Sequence, residues 1–291
     1  MRDKSKMEKG GCKMAIVIGI DIGGSTTKIV GIQGNDPVTP MLVKAADPIA
    51  SLFGAFGKFV DHNLLELSDI SRIMITGVGA SFIDRPIYGL PTGKVEEFLS
   101  NGYGGLYLSG LERAVICSMG TGTALVSAAG DEIEHMGGTG IGGGTILGLA
   151  TRMLNVRDTE VVSQLAEGGN LSNVDLMVGD ITQDLLPGLP PHTTASNFGR
   201  IKEMATPSDI AAGILNLVFQ SIGVTASFAV RSVGVRDVVL IGNLSCIRIC
   251  VDVFDQLRDL FNINFIIPKH SEYGTALGAA LAERRGRFAK L

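Results

Sequence analysis

Within eight residues, Asp21-Ile22-Gly23-Gly24-Ser25-Thr26-Thr27-Lys28 brings together a carboxylate, two bare glycine amides, three hydroxyls and a lysine. Phosphate binding needs that mixture. Glycine lets N–H groups converge on phosphate oxygens, hydroxyls and an ammonium donate to them, and a nearby carboxylate, here Asp21, can hold Mg²⁺ through water. The segment is neither the GxxxxGK[ST] loop nor the GxGxxG turn, because its acid precedes the glycines and a strand follows them.

Two more glycine-rich segments carry the same chemistry. Ser118-Met119-Gly120-Thr121-Gly122-Thr123 is one, and Gly137-Gly138-Thr139-Gly140-Ile141-Gly142-Gly143-Gly144-Thr145 is the other, running into an apolar helix expected to begin near Ile146. A helix start with free amides and a positive dipole end is a ready site for phosphate. A phosphoryl acceptor that is an alcohol also needs a carboxylate base outside the glycine loops. Glu96 and Glu97 are the candidates; helical geometry over Val95-Glu96-Glu97-Phe98-Leu99 groups Val95, Phe98 and Leu99 and turns Glu97 away, towards solvent or a cleft.

The elements that must position these loops follow from the apolar pattern. Ala15–Ile18 and Thr27–Ile32 flank the first loop, while Arg113–Cys117 and Ala124–Ser127 flank the second, so strand, glycine turn and strand recur about a hundred residues apart. Such a repeat predicts duplicated lobes whose hairpin turns face a shared cleft. Thr206 with Pro207 opens a helix carrying Ile210, Ile214, Leu217, Val218 and Ile222 at helical spacing. Asp237–Ile241 reads as a buried strand ending in a turn at Gly242-Asn243. A helix over Ile247–Phe261, a strand over Asn264–Ile267 and a helix over Gly274–Arg284 complete an alternating α/β pattern.

Composition narrows the function classes. The 291 residues have a mean hydropathy of +0.32, enough to bury a sizeable core, and a formal net charge of −4 with no basic stripe, which argues against a nucleic-acid partner. The 39 glycines are about twice the usual share of roughly 7% and gather at the loops just described. Cys12, Cys117, Cys246 and Cys250 show neither paired nor zinc-ligand spacing, as in a protein of the reducing cytoplasm. Asn216, Gln220 and Arg231 interrupt or end the apolar stretch 210–230, which therefore reads as a buried helix and not a membrane span. Residues 1–13 read as a disordered lead-in, 14–110 as an N-terminal lobe and 111–291 as a C-terminal lobe.

Taken together, Asp21-Ile22-Gly23-Gly24 with Lys28, Glu97-Phe98 before Gly104-Gly105, Gly120-Thr121-Gly122-Thr123, Gly142-Gly143-Gly144-Thr145, Thr194-Ala195-Ser196-Asn197-Phe198-Gly199 and Gly274-Thr275-Ala276-Leu277-Gly278 resemble the type II pantothenate kinases, over about residues 18–281. The Thr194–Gly199 string is the most specific of these. The resemblance implies an α/β, two-lobed actin/hexokinase-like (ribonuclease H-like) fold with ATP in the interlobe cleft. It implies ATP phosphates on Asp21, Gly23, Gly24, Ser25, Thr26, Thr27, Lys28, Thr121 and Gly122. Further nucleotide contacts would come from Gly143, Gly144, Thr145, Ile146 and Leu147, and from the turn at Gly242 and Asn243, with Mg²⁺ near Asp21. Glu97 becomes the implied base that activates the 4′-hydroxyl of pantothenate, in a homodimer. Where the family carries an arginine before its third glycine loop this chain has His135, which lacks arginine's bidentate fork and permanent charge and which could serve as a protonated donor, mark a changed substrate or mark a weakened enzyme. Two other functions fit the loops: an ATPase activator of the same fold that holds an iron–sulfur cluster, and a nucleotide-binding regulator without transfer activity.

Overall fold

The computed structural model describes residues 15–24, 26–34, 36–44, 47–182, 184 and 189–291. The expected lead-in 1–13 and Ser25 lie outside the described residues. Two sheets make up the frame. The first comprises β1 (Ile16–Ile22), β2 (Thr26–Gln33), β3 (Asp36–Lys44), β4 (Ile70–Thr76) and β5 (Thr92–Lys94), with α1 (Pro48–His62) between β3 and β4. The helix α2 (Glu97–Ser109) then leads to β6 (Arg113–Met119), β7 (Thr123–Ala129) and β8 (Glu132–Thr139) of the second sheet.

Beyond β8 come α3 (Gly143–Leu154), α4 (Thr159–Ala166), the short β9 (Leu176–Met177), α5 (Val178–Ile181) and β10 (Thr194–Ser196). The chain continues through the long α6 (Pro207–Val233), β11 (Asp237–Ile241), α7 (Arg248–Phe261), β12 (Asn264–Ile266), α8 (Gly274–Arg284) and β13 (Ala289–Lys290). Spatial order is β13-β5-β4-β1-β2-β3 in the first sheet and β12-β11-β6-β7-β8 in the second. Without β13 the two orders are the same: an antiparallel three-strand meander extended by two parallel strands beside its first strand. The duplication expected from the two hairpins therefore extends through five strands of each half.

Apolar, mostly β-branched residues explain why β1 and β6 sit in the middle. Ile18, Ile20 and Ile22 of β1 and Val115, Ile116 and Cys117 of β6 are fully buried, as central strands covered on both faces require. The helix α6 packs beneath the second sheet, with Ile214, Val218, Phe219 and Ile222 in the core. Its start matches the sequence reading: Thr206 caps the helix and Pro207 is its first residue. Asp209 closes a capping box, its carboxylate accepting from the Thr206 N–H at 2.8 Å and the Asn170 N–H at 2.7 Å. This is the one helix among the described residues long and apolar enough to cross a membrane, and 67% of its most apolar window is buried inside the protein.

The two halves meet through α2 and α8, which approach backbone to backbone. A Cβ on Gly104 would lie 1.8 Å from the Gly274 carbonyl oxygen, and one on Gly278 would lie 1.7 Å from that of Ser100, so only glycine fits at this crossing. The C-terminal segment also returns to the first sheet: α8 packs with Val30, Ile32 and Met74, and β13 pairs with β5. Residues 274–290 thus tie the second half of the chain to the first.

Candidate active site

A cleft of about 450 Å³ opens between the β1–β2 and β6–β7 turns. It gathers Asp21, Gly23, Gly24, Thr26, Lys28, Glu97, Thr121, Gly122, Gly242 and Asn243 from the residues singled out in the sequence. Hairpin register places Asp21 opposite Lys28, and the Asp21 Oδ2 lies 3.7 Å from the Lys28 Nζ. Both side chains are nearly buried. Burial pushes the Asp21 carboxyl above its ordinary range, with the Lys28 ammonium acting in the opposite direction. Gly77 is required beside this pair: its φ is +85° and a Cβ there would lie 2.5 Å from Asp21 Oδ1.

The turn is closed by the Gly23 N–H donating to the Thr26 carbonyl at 3.0 Å. Thr26 Oγ1 accepts from Asn243 Nδ2 at 3.2 Å, a bond that joins the first hairpin to the turn after β11. Strand alternation separates Thr27 from this group. Its hydroxyl faces α1 and accepts from Ser51 Oγ at 2.6 Å, so Thr26 and Lys28 point to the cleft and Thr27 does not.

Glu97 is the first residue of α2, half-buried at the cleft wall. Burial raises its carboxyl above the ordinary value, the negative charge of Asp21 raises it further, and Lys28 partly offsets both. A carboxylate so placed holds a proton more readily than one in water, which suits a general base for an alcohol. Glu96 is exposed at the N-cap position and makes no side-chain capping hydrogen bond, and of the two acids Glu97 is the one that lines the cleft. Val95 precedes the helix and is buried, so the single apolar face expected across Val95, Phe98 and Leu99 is not formed as one helical stripe.

The third glycine loop departs from expectation. The helix α3 starts at Gly143, three residues earlier than the apolar pattern suggests, and its leading amides are engaged. The Gly143 N–H donates to the Gly120 carbonyl and that of Gly144 to the Thr121 carbonyl, each at 2.9 Å. These bonds fasten the helix to the second loop and take both amides away from a ligand. Thr145 Oγ1 accepts from the Gly142 N–H and donates to the Gly140 carbonyl, each at 3.2 Å. The Ile146 side chain is core, and none of residues 143–147 lines the cleft. His135 is also absent from the lining; it is exposed on β8 with its ring flat against Phe98, centroids 3.7 Å apart and planes 8° apart.

Several lining residues had no role assigned from sequence: Gly77 and Val78 after β4, Ala124 at the mouth of the second hairpin, and Thr275 at the start of α8. The Thr275 hydroxyl donates to Asn101 Oδ1 at 2.8 Å, one helical turn beyond Glu97. The signal available for Gly77 was its place directly after the apolar run Ile73–Thr76. For Thr275 it was the threonine that follows Gly274 where an apolar helix opens.

A family model described as Fumble matches residues 114–282, more than half of the chain. The chain belongs to the Fumble family. Membership agrees with similarity across both halves of the protein. A type II pantothenate kinase of Bacillus cereus (strain G9842) is 27% identical over 249 residues, covering 80% of this chain and 85% of the relative. One of Staphylococcus aureus (strain USA300) is 29% identical over 255 residues, covering 83% and 91%. Solved structures share the fold of this Fumble protein at lower identity. The activator of the 2-hydroxyisocaproyl-CoA dehydratase from Clostridium difficile with bound ADPNP superposes with a TM-score of 0.66 at 18% identity, covering 94% of this chain and 95% of the activator. A ROK family glucokinase from Streptomyces griseus in complex with glucose and AMPPNP gives 0.60 at 13% identity, covering 94% and 100%. The α/β actin/hexokinase-like architecture expected from the sequence is the architecture found.

Proposed function

We propose that this protein transfers the γ-phosphoryl group of ATP to the 4′-hydroxyl of pantothenate, forming 4′-phosphopantothenate, the first step of coenzyme A biosynthesis. The observation that carries this reading is Glu97, a half-buried carboxylate with a raised pKa on the wall of a cleft whose turns are rich in glycine and threonine. The type II pantothenate kinases similar to this chain over most of its length supply the identity of the acceptor.

In this mechanism the first hairpin turn and Gly120–Thr123 receive the phosphates, with backbone amides and hydroxyls as donors. Lys28 supplies positive charge to the phosphoryl oxygens. Among the described residues no group of three or more His, Cys, Asp or Glu side chains is placed to hold a metal ion. The donor set would suit Mg²⁺ held through water, with the desolvated Asp21 carboxylate as the residue that would hold it. When bound, that ion would neutralise phosphate charge. Glu97 takes the proton of the acceptor hydroxyl as its oxygen bonds to the γ-phosphorus and the bond from that phosphorus to the bridging oxygen of ADP breaks. Lobes divided near residue 110, joined where α2 crosses α8, would close to exclude water.

By the same resemblance the protein acts as a homodimer in the cytoplasm, and Phe228, apolar and 63% exposed on α6, is the kind of residue a subunit interface would cover. The iron–sulfur activator reading has less support. Cys117, the cysteine nearest a glycine loop, is fully buried with its thiol pushed up to about 12, and Cys250 is buried as well, which leaves Cys246 as the one exposed cysteine among the described residues. To test the kinase reading, purified protein is incubated with Mg-ATP and pantothenate, with pantetheine and hexoses in parallel, while ADP release and product mass are followed. Pantothenate-dependent ADP and a product heavier by one phosphoryl group support it. ADP release independent of every acceptor would favour an ATPase, and ATP binding without turnover a regulator.

A further inference from the structure

The carboxylate of Glu97 reaches the cleft from the first turn of α2, where backbone N–H groups have no partners inside the helix and the chain is least restrained by its own hydrogen bonds. Contacts from several elements hold the start of this helix, among them the Ser100 hydroxyl donating to Thr76 Oγ1 of β4 at 3.3 Å. On the α8 side, Thr275 donates to Asn101. On the β8 side, His135 lies flat on Phe98, the residue directly after Glu97. Ile133, two residues before His135 and on the same face of β8, presses so closely on α2 that a Cβ on Gly102 would lie 2.7 Å from it. The strand β8 therefore runs along α2 as a rail, with His135 at the end nearest Glu97.

We propose that His135 is a positioning residue for Glu97: by stacking on Phe98 it fixes the first turn of α2, and with it the distance from the Glu97 carboxylate to the phosphate loops. What the site needs from His135 is a flat ring and not a proton or a charge. The proposal rests on the kinase reading for the role of Glu97 as base and for the acceptor used in the assay.

The test compares the full-length protein with His135→Ala, His135→Phe and Phe98→Ala. Hydrogen–deuterium exchange of the peptide spanning residues 97–101 is read without substrate, and kcat and the KM for ATP are read with Mg-ATP and pantothenate. A misplaced base lowers kcat, so His135→Ala is expected to lose about 10- to 100-fold in kcat with the KM for ATP within about 2-fold of wild type. The same variant should exchange about 10-fold faster at 97–101. His135→Phe restores the stack and should bring both readouts to within about 3-fold of wild type, while adding His135→Ala to Phe98→Ala should change neither readout further. Exchange and kcat both at wild-type level in His135→Ala would overturn the proposal. So would His135→Phe as slow as His135→Ala, which would assign the imidazole a chemical role. A wild-type protein that fails to turn over pantothenate would refute the kinase reading, and the exchange comparison would still decide the stack.

Discussion

At the mouth of the β1–β2 turn, Asp21 faces Lys28; at the same register position of the β6–β7 turn, Ser118 faces Ala124, and all four line the cleft. The two hairpins come from equivalent places in sheets of the same strand order, so the difference lies in side chains and not in scaffold. The first hairpin carries the charge, desolvated and paired. The second is neutral and closed on itself by the Gly120 N–H donating to the Gly122 carbonyl at 2.9 Å. A duplicated frame thus presents two turns to one cleft, one charged and the other neutral. Uneven charge is what phosphoryl transfer needs: like carboxylates on both turns would repel the phosphates, and lysines on both would leave buried cations unpaired when the cleft is empty.

The sharpest way to break this comparison is to remove the charge from one side and the hydroxyl from the other. Lys28→Met is expected to lower turnover by more than about 10²-fold, and Ser118→Ala by less than about 5-fold. Equal losses would mean that the two turns are not specialised. The crossing of α2 and α8, which sets how the hairpins face each other, gives the next effect. Gly278→Ala should destabilise by about 1–3 kcal/mol or more by denaturant unfolding. Gly57→Ala in α1, where a Cβ meets nothing within 4 Å, should be neutral or stabilising by less than about 1 kcal/mol.

The pH dependence sharpens the same contrast. Glu97 accepts a proton only when ionised, so kcat/KM falls as pH drops through its pKa, and burial with the Asp21 charge holds that limb above the ordinary glutamate value. Asp21→Asn removes the repelling charge and should move the acid limb to lower pH, whereas Lys28→Met should move it to higher pH. Ser118→Ala should leave it in place. A smaller effect far from both hairpins serves as reference. Asp209, held by the Asn170 and Thr206 N–H groups, has its carboxyl lowered from 3.8 to about 2. Its contribution to stability is therefore complete above about pH 4 and lost as pH falls towards 2. Unfolding free energy should show that acid loss in wild type and a weaker one in Asp209→Asn.

Both hairpins were legible in the sequence because their signals are local: apolar β-branched runs end in glycine turns, and hairpin pairing follows from the turn. The helix α6 was legible for the same reason, through Thr206, Pro207 and its apolar spacing. What failed to show was set by distant partners. Glycines at 142–144 are poor helix formers, yet α3 begins among them because the carbonyls of Gly120 and Thr121 accept the amides of Gly143 and Gly144. Thr27 looked equivalent to Thr26 as a phosphate donor until strand alternation turned it towards Ser51. The stack of His135 on Phe98 joins residues 37 positions apart on different elements, and no local pattern announces it.

The central claim is that this fold works as a pantothenate kinase with Glu97 as its base, and the most direct test is product formation from Mg-ATP and pantothenate by wild type and Glu97→Gln. The account predicts a phosphorylated product from wild type and a rate about 10²- to 10⁴-fold lower in the variant, with ATP affinity retained. A variant that phosphorylates pantothenate at the wild-type rate would contradict it.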